Sequence, residues 1–97
     1  MKIEILDSAR RDLLDGYWFY EKQTAGLGAY FLRHLKAEID SLTDTAGLHR
    51  RVHGHYHWIV SRKFPHAVYY HVRNETAYVD AVIDCRRSPH WIRKRLP

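Results

Sequence analysis

The sequence has little of what builds disulfide scaffolds or membrane spans. Cys85 is the single cysteine in 97 residues, so no disulfide can form within the chain, which suits a reducing cytosol. No apolar run approaches the roughly 20 residues that a helix needs to cross a bilayer. Acidic residues interrupt the apolar stretch between Lys2 and Asp7, so the N-terminus lacks the layout of a signal peptide. These absences predict a cytoplasmic location and no membrane association.

Motifs that would hold a cofactor are missing as well. There is no phosphate-binding loop, no dinucleotide fingerprint and no zinc pattern. His53, His55 and His57 would share one face of an extended segment, which raises the alternative of a metal site. Because there is no paired cysteine and no His-Glu-x-x-His spacing, a flexible histidine-rich loop is the favoured interpretation. The sequence therefore predicts no cofactor and no metal.

Acidic residues are scarce in the second half of the chain. The formal net charge is +5, but residues 1–48 carry six Lys/Arg against eight Asp/Glu, whereas residues 49–97 carry ten against three. Seven of the eight histidines also lie in the second half. A basic surface attracts anionic partners, so this asymmetry favours nucleic acid, a ribonucleoprotein or an acidic protein segment. The plain alternative is that the charge serves solubility alone.

The length and an ordinary hydrophobic fraction of 45% predict one globular domain over residues 1–97. Alternation at 2–6 predicts a short strand. Apolar residues at helical spacing predict a helix over 8–22, which Asp7 or Ser8 would cap. A second stripe predicts a helix over 27–43, and the glycines between them predict an antiparallel helical hairpin.

The hydrophobic period changes to two in the second half of the chain. Residues 44–55 are polar and turn-like. Three segments then predict strands joined by short turns, a meander, at 56–61, 67–72 and 77–84. Ser88 followed by Pro89 is typical of a helix start and predicts a short C-terminal helix. Because helices and strands are segregated, the fold class is α+β with the hairpin on one sheet face.

Four local strings, in this order, resemble the RelE/ParE toxin superfamily of type II toxin–antitoxin systems, on its ParE-like branch. They are Ser8–Leu13, Gly26–Phe31, Arg62–Tyr70 and Ala81–Trp91. The resemblance spans nearly the whole chain. It implies an N-terminal strand, an antiparallel two-helix hairpin, a three-stranded antiparallel meander and a short C-terminal helix.

The resemblance also implies a function. ParE-like members are toxins that inhibit DNA gyrase and are neutralised by a cognate antitoxin in a hetero-oligomer. RelE-like members are ribosome-dependent mRNA endoribonucleases. The chain departs from the RelE pattern because Ala67 stands where those enzymes carry an arginine, and Arg93 stands where they carry a tyrosine. Only the basic residue Arg87 is retained, so the resemblance favours a toxin without chemistry of its own.

The candidate site residues follow from these two functions. RNA cleavage needs a base, an acid and cations that stabilise the phosphorane. The candidates for that chemistry are Arg62, Lys63, His66, Arg87 and His90. The candidates for contact with a target or antitoxin are Arg62, Lys63, Arg86, Arg87, Trp91, Arg93, Lys94 and Arg95. A third alternative is an inactive interaction module of the same fold.

Three residues have more specific interpretations. Trp91 and Ile92 are predicted chiefly to anchor the C-terminal segment on the core, although Trp91 could instead stack on a base. Cys85 follows the last predicted strand beside Arg86 and Arg87, and these cations could lower the pKa of its thiol. No catalytic triad is suggested around it.

Overall fold

A computed structural model describes residues 1–96 as an α+β fold. Along the chain the elements are β1 (Lys2–Ile5), α1 (Asp7–Glu21), α2 (Leu27–Asp40), the single turn α3 (Leu42–Thr45), β2 (Arg51–His53), β3 (Tyr56–Val60), β4 (His66–Arg73), β5 (Thr76–Asp84) and α4 (Pro89–Arg95). The predicted helical hairpin, meander and C-terminal helix are confirmed. No helix within these residues is long and apolar enough to span a bilayer.

The strands form one five-stranded sheet in the order β1-β5-β4-β3-β2. β3, β4 and β5 are antiparallel neighbours, as predicted, and β1 joins the outer side of β5 in parallel. The sequence analysis missed β2, which lies within the segment predicted as a loop. This strand has three residues and a shifted register against β3, so it shows no alternating pattern.

The α1–α2 hairpin packs closely because of two glycines. A Cβ atom on Gly16 would lie 2.5 Å from the Phe31 ring, and one on Gly28 would lie 2.6 Å from the Tyr17 carbonyl oxygen. The turn between the helices is closed by Glu21, whose carboxylate accepts from the backbone N–H groups of Gly26 and Gly28. Because these two positions have no side chain, the helices pack in direct contact there.

The predicted cap of α1 is wrong. Leu6 is the N-cap residue and makes no side-chain capping bond, while Asp7 lies inside the first turn. The Ser8 hydroxyl instead donates to the carbonyl oxygen of Asp80 in β5, at 2.8 Å. This hydrogen bond joins α1 to the sheet. It is a tertiary contact, which the local sequence does not reveal.

Two apolar clusters lie on opposite faces of the sheet. The larger one, between the sheet and the helical hairpin, includes Phe31, Leu35 and Ile39, which are fully buried. The smaller one includes Ala67, Tyr69 and Ile83 and is covered by α4. The chain therefore buries both faces of its sheet.

Helix α4 begins as predicted but is anchored by a different residue. The Ser88 hydroxyl accepts from the backbone N–H of Trp91, and Pro89 occupies the first turn. Leu96, at 1% exposure, and the partly buried Ile92 pack in the smaller cluster. Trp91 is 37% exposed, so its predicted role as a core anchor is wrong. It is not a member of this cluster, and its ring lies beside the guanidinium of Arg87.

Candidate functional site

A cleft of about 580 Å³ opens between α1, the end of β5 and the C-terminal segment. We refer to it as the α1–β5–α4 cleft. It contains acids, cations and exposed aromatic rings, which is a mixture suited to binding. The lining residues are Asp12, Asp15, Gly16, Phe19, His66, Val82, Ile83, Asp84, Arg86, Arg87, Trp91 and Arg95.

The strand pairing explains why the cleft lies there. β1 pairs with β5 only as far as Val79, so the rest of β5 has no neighbouring strand on that side. Asp12 of α1 takes the place of a strand, since its Oδ2 atom accepts from the Val82 backbone N–H at 2.9 Å. Arg95 of α4 donates to the same carboxylate and to the Ser8 carbonyl oxygen. Asp12 of α1 therefore joins this helix to both β5 and α4.

Two adjacent arginines at the cleft have different surroundings. Arg86 makes a two-pronged contact with Asp84 at 2.9 and 2.6 Å, and this contact holds the pKa of the Asp84 carboxyl at about 2. The guanidinium of Arg87 lies 4.4 Å from the centroid of the Trp91 ring, a cation–π arrangement. Within residues 1–96, Arg87 has no carboxylate partner.

His66 lies at the start of β4 and is 8% exposed. Its ring lies 5.1 Å from that of Phe31 and 5.8 Å from that of Tyr20. Burial lowers the pKa of His66, which favours the neutral imidazole. Its Nδ1 atom is buried with no hydrogen-bond partner among the described residues. A neutral ring with one polar atom that has no partner among the described residues therefore lines the cleft beside its charged residues.

The pKa of His66 leads to a prediction about stability. Because its folded-state pKa is lowered, the unfolded chain binds the proton more readily below about pH 6.5, the ordinary histidine value. The free energy of unfolding should therefore fall between pH 7.5 and pH 5, where burial of His49 acts in the same direction. In urea titrations, His66→Gln should show a shallower fall than the unchanged chain. Equal slopes for the two proteins would contradict this account.

Half of the predicted site residues meet in the α1–β5–α4 cleft. These are His66, Arg86, Arg87, Trp91 and Arg95. Arg95 is bound to Asp12, so a target that contacted it would compete with an internal ion pair. The others lie elsewhere. Arg62 and Lys63 are exposed between β3 and β4, His90 and Lys94 are exposed on α4, and Arg93 lines a small groove over the opposite sheet face.

Sequence reasoning missed the α1 side of the cleft. Asp12, Asp15 and Phe19 all line it, and Phe19 is 54% exposed. Their spacing of three and four residues places them on one helix face, so this face was visible in the sequence.

The histidine-rich segment and Cys85 also differ from expectation. His53 belongs to β2, His57 to β3 and His55 to the turn between them, so the three do not share one extended face. No group of residues able to hold a metal occurs within residues 1–96. The pKa of the Cys85 thiol is raised by burial and by Asp84, despite the arginines beside it.

Comparisons with known proteins establish the fold. No family model matches the chain, and no curated protein matches it. Among solved structures, it is similar to a chain of the "Chromosomal ParDE TA system from P. aeruginosa", with a TM-score of 0.81. The two share 11% sequence identity over 87% of this chain and 95% of that chain. This chain therefore has the same fold as that chain of a ParDE system.

Proposed function

We propose that this chain is the toxin of a bacterial type II toxin–antitoxin system, that it acts in the cytoplasm by inhibiting DNA gyrase, and that a cognate antitoxin neutralises it. The observation that carries this proposal is the fold match to a ParDE chain over 87% of this sequence. The net charge of +5 supports an anionic partner such as a protein–DNA complex.

The surroundings of Ala67 support this function over ribonuclease activity. The resemblance places a RelE-type arginine at this position, but Ala67 is fully buried in the cluster beneath α4 with Leu96. The chain has no guanidinium at that position, and the neighbours of Ala67 in this cluster are apolar. Position 67 therefore cannot supply the cation that would stabilise the developing charge of a phosphate.

The ribonuclease candidates are also dispersed. His66 and Arg87 line the α1–β5–α4 cleft, whereas Lys63 lies in the β3–β4 connection and His90 on the exposed side of α4. General acid–base catalysis requires groups within hydrogen-bond reach of one reacting atom. The Nδ1 atom of His66 is buried, so it is badly placed to take a proton from a ribose hydroxyl.

An exposed apolar strip on α1 offers a surface for the antitoxin. Leu14 and Trp18 lie one turn apart and are 54% and 52% exposed. Side chains of this size gain free energy when a partner buries them. An antitoxin segment with apolar residues for this strip and acids for the basic second half would complete a toxin–antitoxin hetero-oligomer.

Induced expression in a bacterial host tests the mechanism, with a DNA-damage reporter and transcript integrity followed in parallel. We expect growth arrest with filamentation, a damage response and intact transcripts. If Arg87 contacts the target, Arg87→Ala should weaken target binding and the damage response by about tenfold, as for an interface arginine. Arg33→Ala is the matched control, because Arg33 also lies over an aromatic ring, that of Tyr30, but outside the cleft.

The other outcomes of this experiment have definite meanings. Codon-phased cleavage of transcripts without DNA damage would replace gyrase inhibition with ribonuclease activity, and loss of that cleavage in Arg87→Ala would assign Arg87 to it. Normal growth with well-folded protein in the cells would identify an inactive interaction module of the same fold.

A further inference from the structure

Two aromatic rings are exposed at the α1–β5–α4 cleft, one on each of the two helices that border it. Phe19 enters from α1 and is 54% exposed, and Trp91 enters from α4 and is 37% exposed. Helix α4 is already held by Leu96 and by the contact of Arg95 with Asp12. A planar ligand that packs against these rings would remove apolar surface from water and gain stacking interactions.

Beside these rings the cleft also has a cation that pairs with no carboxylate of residues 1–96. Arg95 and Arg86 are engaged with Asp12 and Asp84, whereas Arg87 has no carboxylate partner within residues 1–96. Its guanidinium lies 4.4 Å from the Trp91 ring centroid. An arginine with free donors favours phosphate, which it binds through two parallel hydrogen bonds.

Polar groups at the cleft supply both kinds of hydrogen bond. The Nδ1 atom of His66 is buried and unpartnered within the described chain, so the ring nitrogen that a ligand in the cleft can reach is Nε2. As a neutral imidazole, His66 has one nitrogen that donates and one that accepts. The carboxylate of Asp15, which lines the same cleft, accepts from N–H groups. Together these groups suit the edge of a heterocyclic base.

We propose that the α1–β5–α4 cleft binds a nucleotide, with its base packed against Phe19 and Trp91 and its phosphate paired with Arg87. His66 and Asp15 hydrogen-bond the edge of the base. The volume of about 580 Å³ is within the usual range for small-molecule sites. This site does not depend on the gyrase proposal. A free mononucleotide and one unpaired nucleotide of a single strand share the chemistry that it recognises.

The test is a titration of the full chain, without antitoxin, followed by the indole N–H resonances of its three tryptophans in NMR spectra. The probes are AMP, GMP, CMP, inorganic phosphate and a short single-stranded oligonucleotide. We expect saturable shifts of the Trp91 resonance with at least one mononucleotide, and no comparable shift with phosphate alone. Trp18 and Trp58 lie outside the cleft, so their resonances should not shift when the Trp91 resonance does.

Variants separate specific binding from general attraction to a basic protein. Because Trp91→Leu lacks the Trp91 resonance, the affinities of the variants are measured by titration calorimetry. Trp91→Leu and Arg87→Gln should each weaken nucleotide binding by about tenfold, the scale of one lost stacking or charged contact. The matched controls are Trp18→Leu, which removes an equally accessible indole from α1, and Arg33→Gln, which removes one unit of charge elsewhere. Both should bind within twofold of the unchanged chain. Thermal unfolding verifies that each variant is folded.

Each remaining outcome decides the proposal. Tighter binding of the oligonucleotide, reduced by Trp91→Leu, would identify a nucleotide within a strand as the ligand. Binding of mononucleotides alone would identify a free nucleotide. No Trp91 shift with any nucleotide, or equal losses in the variants and their controls, would overturn the proposal. Shifts produced equally by phosphate would also overturn it, because the base would then contribute nothing.

Discussion

Gly28→Ala is expected to lower the free energy of unfolding by about 2 kcal/mol, although alanine is normally the better helix residue by about 1 kcal/mol. The added methyl group would lie 2.6 Å from the Tyr17 carbonyl oxygen, which belongs to the backbone of α1. A flexible side chain could move aside, but here the two helices must separate. Overpacking of this kind costs up to about 3 kcal/mol, so the steric term exceeds the gain in propensity.

Urea unfolding of Gly28→Ala and of Ala29→Gly provides the measurement and its control. Ala29 is the exposed neighbour of Gly28 in the same helix, so its change to glycine should cost about 1 kcal/mol through propensity alone. At position 28, alanine should therefore give a lower free energy of unfolding than glycine. At position 29, alanine should give the higher value. Stabilisation by Gly28→Ala would show that the helices are not in close contact there.

The second large effect is expected at Asp12, where Asp12→Ala should cost about 2–3 kcal/mol. The change leaves the Val82 backbone N–H without its acceptor and Arg95 without its counter-charge. Both groups are partly shielded from water, because the side chains of Arg95 and Asp12 are only 24% and 18% exposed. Asp12→Asn keeps an acceptor for the Val82 N–H group, so it should lower the free energy of unfolding by less than Asp12→Ala does.

Asp40→Ala is the matched control for Asp12→Ala. Asp40 also pairs with a cation from a helix, Lys36, but both side chains are 60% exposed. An exposed pair at this spacing contributes about 0.3–0.5 kcal/mol. Denaturation that gave equal losses for the two aspartates would mean that Asp12 does not join α1, β5 and α4 as described.

The elements with strong local signals could be predicted from the sequence. The stripe of Phe31, Leu35 and Ile39 predicts α2 and its buried face, and Ser88 with Pro89 predicts the start of α4. β2 escaped prediction because three residues are too few to show a period. The parallel pairing of β1 with β5 also escaped, since it joins residues as distant as Lys2 and Thr76.

The cleft could be predicted only in part, for a related reason. The cations Arg86 and Arg87 stand out in the sequence, because they follow a strand and belong to a basic half. The burial of His66 depends on Phe31 and Tyr20, which approach it from other elements. Trp91 was assigned to the core because a large aromatic residue usually packs there, and only the docking of Leu96 shows that this helix face is turned outward.

The parallel pairing of β1 with β5 has a consequence for biosynthesis. Chains emerge N-terminus first, at about 5–20 residues per second, so β1 leaves the ribosome several seconds before its partner strand. During that interval β1 has no neighbour, and the edge of β5 that Asp12 covers does not yet exist. Contacts so distant in sequence form slowly. The sheet is therefore completed only after β5 has emerged, and a partner that recognises the completed sheet can bind only from that point on.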